Sequence, residues 1–351
     1  MNISYPNFKQ QFEVKLEDYL DGKTKSFKER YENELIEDLL SQIKTLALAE
    51  AKRIRPFVAY LMYMETSDES STKSSWSPYL AIELFHLFGL VHDDIIDRDS
   101  LRRGEQTIHK YISECNFSQL EDGEHIGESL AMLSGDLIYS WVSELFFLAE
   151  GYSQQNKTKA KEKFFNMGEE VLVGQIMDMD KREGKDMDYL VKKMSLKTAS
   201  YTFIRPMQIG TALAGGGESR LNFCKRWGQK MGLAFQIQDN LIDLTSDQTG
   251  KDDFSDIKEG CSNILIHFVK QQRHEEYEDI LKPNLGADEI SDTQKEEIKK
   301  LFESSGAVDY ARDQVEEYLN QAKHILKKSH LSSTTKQELH RLIKLLEDRK
   351  K

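Results

Sequence analysis

The chain has 351 residues, 39% hydrophobic and 31% charged, which is enough for one large core or two or three ordinary domains. Five prolines and 20 glycines argue against collagen-like repeats, a loop-rich all-β sandwich and wholesale disorder. Sixty acidic against 48 basic residues leave a formal charge of −12, which argues against general nucleic-acid binding but leaves room for local basic clusters. The cysteines, Cys115, Cys224 and Cys261, are odd in number and widely spaced, with no disulfide or metal-ligand pattern. The N-terminus lacks a charged-then-apolar signal, and no run of about 18 apolar residues occurs. The expectation is a soluble cytoplasmic protein.

Most of the chain carries a helical period. Residues 26–50 repeat apolar positions at three- and four-residue steps, through Leu35, Leu39, Ile43 and Leu46. A polar loop, Thr66 to Ser77, follows, and Ser77-Pro78 reads as an N-cap before proline at the first helical position. The helix it opens runs through Leu80, Leu84, Leu87, Val91 and Ile95. Further helical stretches cover 125–151, 158–180, 187–214, 218–246, 257–281, 293–303, 306–328 and 333–349. Pro206 is expected to kink the helix it interrupts, and the runs Ala214–Gly217 and Asn284–Ala287 are stops. No four residues alternate cleanly enough for a strand, and no repeat or linker divides the chain. These features predict one all-α domain of ten or more helices.

Two helices are acidic. In His92–Asp97, Asp93 and Asp97 stand one turn apart and point the same way, with His86 and Gly89 on their face. Leu84, Leu87, Val91 and Ile95 take the opposite face. Later, Gly232, Gln236, Asp239 and Asp243 share a face opposed to Leu233, Ile237, Leu241 and Leu244. Oxygen ligands without His or Cys suit Mg²⁺, which favours phosphate as a co-ligand. Two such rows facing each other could hold a polyphosphate; the plainer alternative is two unrelated solvated surfaces. Cations accompany both: Lys52, Arg53 and Arg55 end one helix, Arg102 and Arg103 follow the first acidic turn, and Lys197 and Lys251 come later. Arginine forks and lysine point charges are the usual pair for diphosphate, although each residue singly is an ordinary surface charge.

Together these residues resemble the trans-isoprenyl diphosphate synthases, the polyprenyl synthetase family, over roughly residues 35 to 345. The family's G-G-K-R-L-R-P appears as Glu50 to Pro56, and its first aspartate-rich motif with R-R-G as Asp93–Asp97 through Arg102-Arg103-Gly104. Gly174-Gln175 with Asp178 resembles G-Q-x-x-D, Lys197-Thr198 resembles K-T, and Gly232 to Asp243 resembles the second aspartate-rich motif. The resemblance implies an all-α bundle around a central cavity, one synthase domain over 1–351, a homodimer, and about three Mg²⁺ ions per site. It implies that Lys52, Arg55, His86 and Arg103 hold isopentenyl diphosphate. Asp93, Asp97 and Asp239, supported by Asp243, would bind Mg²⁺; Arg102, Lys197, Thr198, Gln236 and Lys251 would bind an allylic diphosphate. Asp93, Asp97, Arg102, Lys197 and Asp239 are then the catalytic set.

The chain departs from that pattern at Asn240, where the family has Asp, and at Cys261, where it usually has a diphosphate-binding lysine. Lys258 is a candidate stand-in. Phe85, Phe88 and Gly89 stand where side-chain bulk sets product length, and an aromatic followed by a small residue resembles geranylgeranyl diphosphate synthases. The expected product is the C20 prenyl diphosphate. A C15 product, a weakly active partner subunit of a heteromeric synthase and a class I terpene cyclase are the alternatives. No nucleic-acid partner and no membrane span are expected.

Overall fold

The computed structural model describes residues 4–67, 75–182, 184–245, 254–287 and 289–348. Helix α1 (Tyr5–Tyr31) begins at Ser4 with proline in its first turn, and buries Phe8, Phe12, Leu16 and Leu20. This four-residue stripe is a helical signal that the expected element at 26–50 overlooks. That element is in fact two helices. Glu32 turns left-handed at φ 41°, and the Asn33 side chain accepts from Ile36 N–H to start α2 (Glu34–Leu48).

Helix α3 (Ile54–Thr66) precedes α4 (Ser77–Ile96), whose cap is Trp76, so the Ser-Pro pair lies inside the first turn rather than astride it. A hairpin too short to show as alternation then follows, β1 (Leu101–Arg102) against β2 (Glu105–Gln106). Its two-residue turn is Arg103-Gly104 with φ 56° and 83°, the mirror-image geometry that hairpins favour.

Helices α5 (Ile108–Asn116) and α6 (Gly123–Phe147) complete one compact unit, Met1–Tyr60 with Asp68–Ser153. Its core joins Phe8, Phe57, Tyr60, Trp76 and Tyr79, with Tyr60 and Trp76 stacked at 5.4 Å. Burying residues such as Phe12 and Leu16 completely contributes about 2–3 kcal/mol each.

The second unit, Leu61–Ser67 with Gln154–Lys351, opens with α7 (Gln154–Met179) and α8 (Met187–Met194). From Ser195 to Ile204 the chain is a π-helix, and α9 (Arg205–Leu213) resumes with Pro206 in its first turn. The expected kink at Pro206 is thus absorbed by wider turns: Arg205 N–H reaches Ser200 C=O, five residues back. Two glycines allow this segment to pack. A Cβ on Gly174 would lie 2.5 Å from the Lys197 nitrogen, and one on Gly232 would lie 2.2 Å from Ala199 Cα.

Helix α10 (Glu218–Thr245) carries Gly232 and the fully buried Trp227. The expected helix over 257–281 is instead α11 (Ser255–Lys258), α12 (Ile264–Gln272), and α13 (His274–Glu276) running into a π turn. Gly260 at φ 68° stops the first piece, and Asn263 caps the second. Helices α14 (Asp292–Ser304), α15 (Ala307–Lys328) and α16 (Ser333–Glu347) close the unit. Among the described residues no helix is long and apolar enough to cross a membrane.

Candidate active site

In the first unit, Asp93 lies in the last turn of α4 and Asp97 is its C-cap, both half-exposed, with Asp97 N–H on Asp93 C=O at 2.8 Å. Two carboxylates at the negative end of a helix dipole make a cation-attracting corner. Asp94, between them, is buried and turns inward, where Arg102 Nε meets its carboxylate at 2.6 Å. A second arm of Arg102 holds Asp99 at 2.6 Å, so in this structure the fork expected on substrate is engaged by carboxylates.

Arg103, in the hairpin turn, reaches Leu46 C=O at 3.5 Å; burial lowers its pKa, as do the charges of Arg53, Arg55 and Arg102, against the pull of Glu83. His86 is pushed well below its usual value by burial, then by Arg55, Arg103 and Arg102. Burial and the neighbouring guanidinium groups thus disfavour the charged imidazole there. Arg55, His86 and Arg103 are brought together, whereas Lys52 is exposed.

Arg53, the cation in this stretch to which the sequence assigns no role, is the one that ties the stretch to its surroundings. It is buried at φ 48°, and its guanidinium donates to Glu83 at 2.6 Å, Glu13 at 2.8 Å and Ala47 C=O at 2.7 Å. These bonds lock the turn between α2 and α3 to α4.

In the second unit, Lys197 and Lys193 each bind one oxygen of Asp178, Lys193 at 2.5 Å. Burial would raise the Asp178 pKa, but the two ammonium groups hold it below the usual range. Thr198 donates its hydroxyl to the Gln236 side chain on α10. Asp239, one turn beyond, is half-buried.

Asp243 accepts from Ser255 N–H at 3.1 Å, Ser255 hydroxyl at 2.7 Å and Asp256 N–H at 3.2 Å. Its pKa is pushed up to about 6 by burial and by the Asp256 carboxylate. Asn240 explains itself here. Its amide donates to Asp256 at 2.7 Å, alongside Asn263 at 2.9 Å, where an aspartate would add a like charge. Lys251 lies outside the described residues.

Phe85 is buried and Phe88 half-exposed, with ring centroids 5.4 Å apart. Both meet Tyr139 from α6, Phe88 at 5.2 Å and Phe85 at 6.2 Å, and Phe88 also packs edge-on against His92 at 4.7 Å. Tyr139 could not be found from helical spacing because it comes from another helix. Gly89 is half-buried beside Phe88 in sequence.

Carboxylate pairs on helices, with clustered arginines and lysines held nearby, are the equipment of a protein that handles phosphate esters. The profile of the polyprenyl synthetase family matches residues 37–304, and the chain belongs to that family. It is 32% identical over 304 residues to the geranylgeranyl pyrophosphate synthase of Geoglobus acetivorans, covering 83% of this chain and 88% of that one. Over 281 residues it is 32% identical to the short chain isoprenyl diphosphate synthase of Methanocaldococcus jannaschii, with 78% of each chain covered. In fold it matches the Corynebacterium glutamicum geranylgeranyl pyrophosphate synthase, solved with isoprenyl diphosphate and magnesium, at a TM-score of 0.89 and 22% identity, over 97% of this chain and 99% of that one. The protein is accordingly an enzyme, a short-chain trans-prenyltransferase.

Proposed function

We propose that the protein condenses isopentenyl diphosphate with an allylic diphosphate, acts as one synthase domain over 1–351, and releases the C20 prenyl diphosphate. The observation that carries this reading is the convergence on one segment: Gly174 and Gly232 grip the π-helix from two sides, leaving Lys197 on Asp178 and Thr198 on Gln236. Three separated stretches of sequence are needed to build that arrangement.

The donor set fits Mg²⁺. Among the described residues no three His, Cys, Asp or Glu side chains form a ready-made metal cage. Mg²⁺ held through one or two carboxylates, waters and substrate phosphates requires none. Asp93 and Asp97, and Asp239 with Asp243, would be those ligands. When bound, Mg²⁺ neutralises the charge that builds on a departing diphosphate.

The side chains divide the remaining work. Lys197 places a point charge on the allylic diphosphate, Thr198 and Gln236 orient it, and the Arg102 fork exchanges a carboxylate for phosphate oxygens. Arg55 and Arg103 grip the diphosphate of isopentenyl diphosphate together with the exposed Lys52, and His86 donates one hydrogen bond to it. The allylic C–O bond breaks with both electrons passing to the diphosphate oxygen. The double bond of isopentenyl diphosphate then supplies its electron pair to the allylic cation, forming the new C–C bond. A proton is lost to the departing diphosphate, which restores an allylic double bond. Phe85, Phe88 and Tyr139 would floor the tail cavity and keep water from the cation.

Exposed apolar side chains on α6 (Met132, Leu133, Phe147) and on α7 (Leu172, Val173, Ile176) support a homodimer. Light scattering of the purified protein reads that directly. Turnover with Mg²⁺, isopentenyl diphosphate and C5, C10 or C15 starters tests the reaction. A defined C20 product supports the reading, and a C15 product corrects its length. Hydrocarbon release without isopentenyl diphosphate indicates a cyclase, and folded protein with no turnover indicates a partner subunit.

A further inference from the structure

Position 261 is a cysteine in a place whose surroundings suit a cation. Its thiol is raised far above the usual value by burial, then by the carboxylates of Asp178, Glu259 and Asp256. A negative field of that kind disfavours a thiolate and favours an ammonium group. The structure supplies one from elsewhere in the chain. Lys193, on α8, is 7% exposed, and its Nζ donates to Asp178 at 2.5 Å and to the carbonyl of Ser262, the residue after Cys261. Lys197 holds the other oxygen of Asp178. Two ammonium groups therefore share one carboxylate, and within this trio one positive charge is in excess.

We infer that Lys193 supplies, from helix α8, the ammonium that the carboxylates around position 261 call for. On the functional reading above, it serves as a positioning residue for the allylic diphosphate. Its bond to Asp178 fixes one oxygen, so that Lys197 is presented on the other, and its bond to Ser262 draws the 260–262 turn against the same site.

A double-variant cycle tests this. Lys193→Met is expected to raise KM for the allylic diphosphate about 10-fold, the worth of a charge-assisted hydrogen bond, with KM for isopentenyl diphosphate unchanged. Cys261→Lys alone changes both little. Lys193→Met combined with Cys261→Lys is expected to return the allylic KM to within about 3-fold of the parent, as relocation of one charge requires. An unchanged allylic KM in Lys193→Met, or a double variant no better than the single, overturns the inference. Should Lys193→Met fail to fold, Lys193→Gln keeps hydrogen bonding without charge and gives the same reading. Calorimetric binding of inorganic diphosphate with Mg²⁺ separates the two levels. A parent protein without turnover refutes the functional reading, while loss of diphosphate affinity on Lys193→Gln still supports Lys193 and retention refutes it.

Discussion

Replacing Arg53 by methionine keeps most of the aliphatic volume and removes only the guanidinium. The side chain is 1% exposed, and its partner Glu83 is 6% exposed, so the substitution strands a buried carboxylate. Breaking a buried pair from one side costs about 3–5 kcal/mol, most of it from the unpaired charge. Ala47 C=O loses a donor as well. We take about 4 kcal/mol as the expected loss. With about 2.1 cal/mol/K of unfolding entropy per residue, Tm falls by about 5 °C if the whole chain melts together, and by about 13 °C if the first unit of roughly 150 residues melts alone. Urea denaturation followed by circular dichroism measures the free energy, and calorimetry measures Tm. Glu83→Gln in the Arg53→Met background is expected to recover about 2 kcal/mol, because the stranded charge is gone. A loss under about 1 kcal/mol, or no recovery in the double variant, refutes the reasoning.

Glu65 gives a pH-dependent case. Burial alone would raise its pKa, but hydrogen bonds from Ser332 and Thr335, with the charge of Arg220, hold it below the usual value. A depressed folded pKa adds stability that is present above the ordinary glutamate range and lost as pH falls below it. Glu65→Gln should therefore cost about 2 kcal/mol at pH 7 and much less at pH 3, read from urea midpoints; an equal cost at both refutes the assignment. Gly232→Ala forces a Cβ to within 2.2 Å of Ala199 Cα, and is expected to cost about 1–3 kcal/mol and to raise the allylic KM. An unchanged Tm would show that the π segment yields freely. Phe88→Ala and Tyr139→Ala, which thin the same aromatic cluster, should shift the product toward longer chains in chromatography; unchanged length in both removes the floor from this place.

The all-α architecture was legible because apolar residues recur at helical spacing through nearly every element. The site was legible in pieces. Asp93 and Asp97 lie one turn apart, and Thr198 does meet Gln236. What could not be read were pairings between distant segments. Arg53 with Glu83 and Lys193 with Asp178 join residues whose spacing carries no period. Asn240 read as a departure from the acidic pattern, and its partner Asp256 is 16 residues away. The π-helix was missed for a different reason. A window tuned to 3.6 residues per turn registers Pro206 as a break, and cannot show that turns closing five residues back accommodate it.

That same π-helix makes the length of the chain between Ser195 and Ile204 a determinant of the molecule in its own right. Turns that close five residues back hold one residue more than α turns, so losing one residue here would let the segment tighten toward an ordinary α-helix and change which residues face Gly174 and Gly232. Lys197 and Ala199, which lie against Gly174 and Gly232, would then have to find a new register, so a one-codon deletion is expected to disturb the site more than it disturbs helicity. The segment acts as a phase spacer, and natural variation across it should preserve count more strictly than identity.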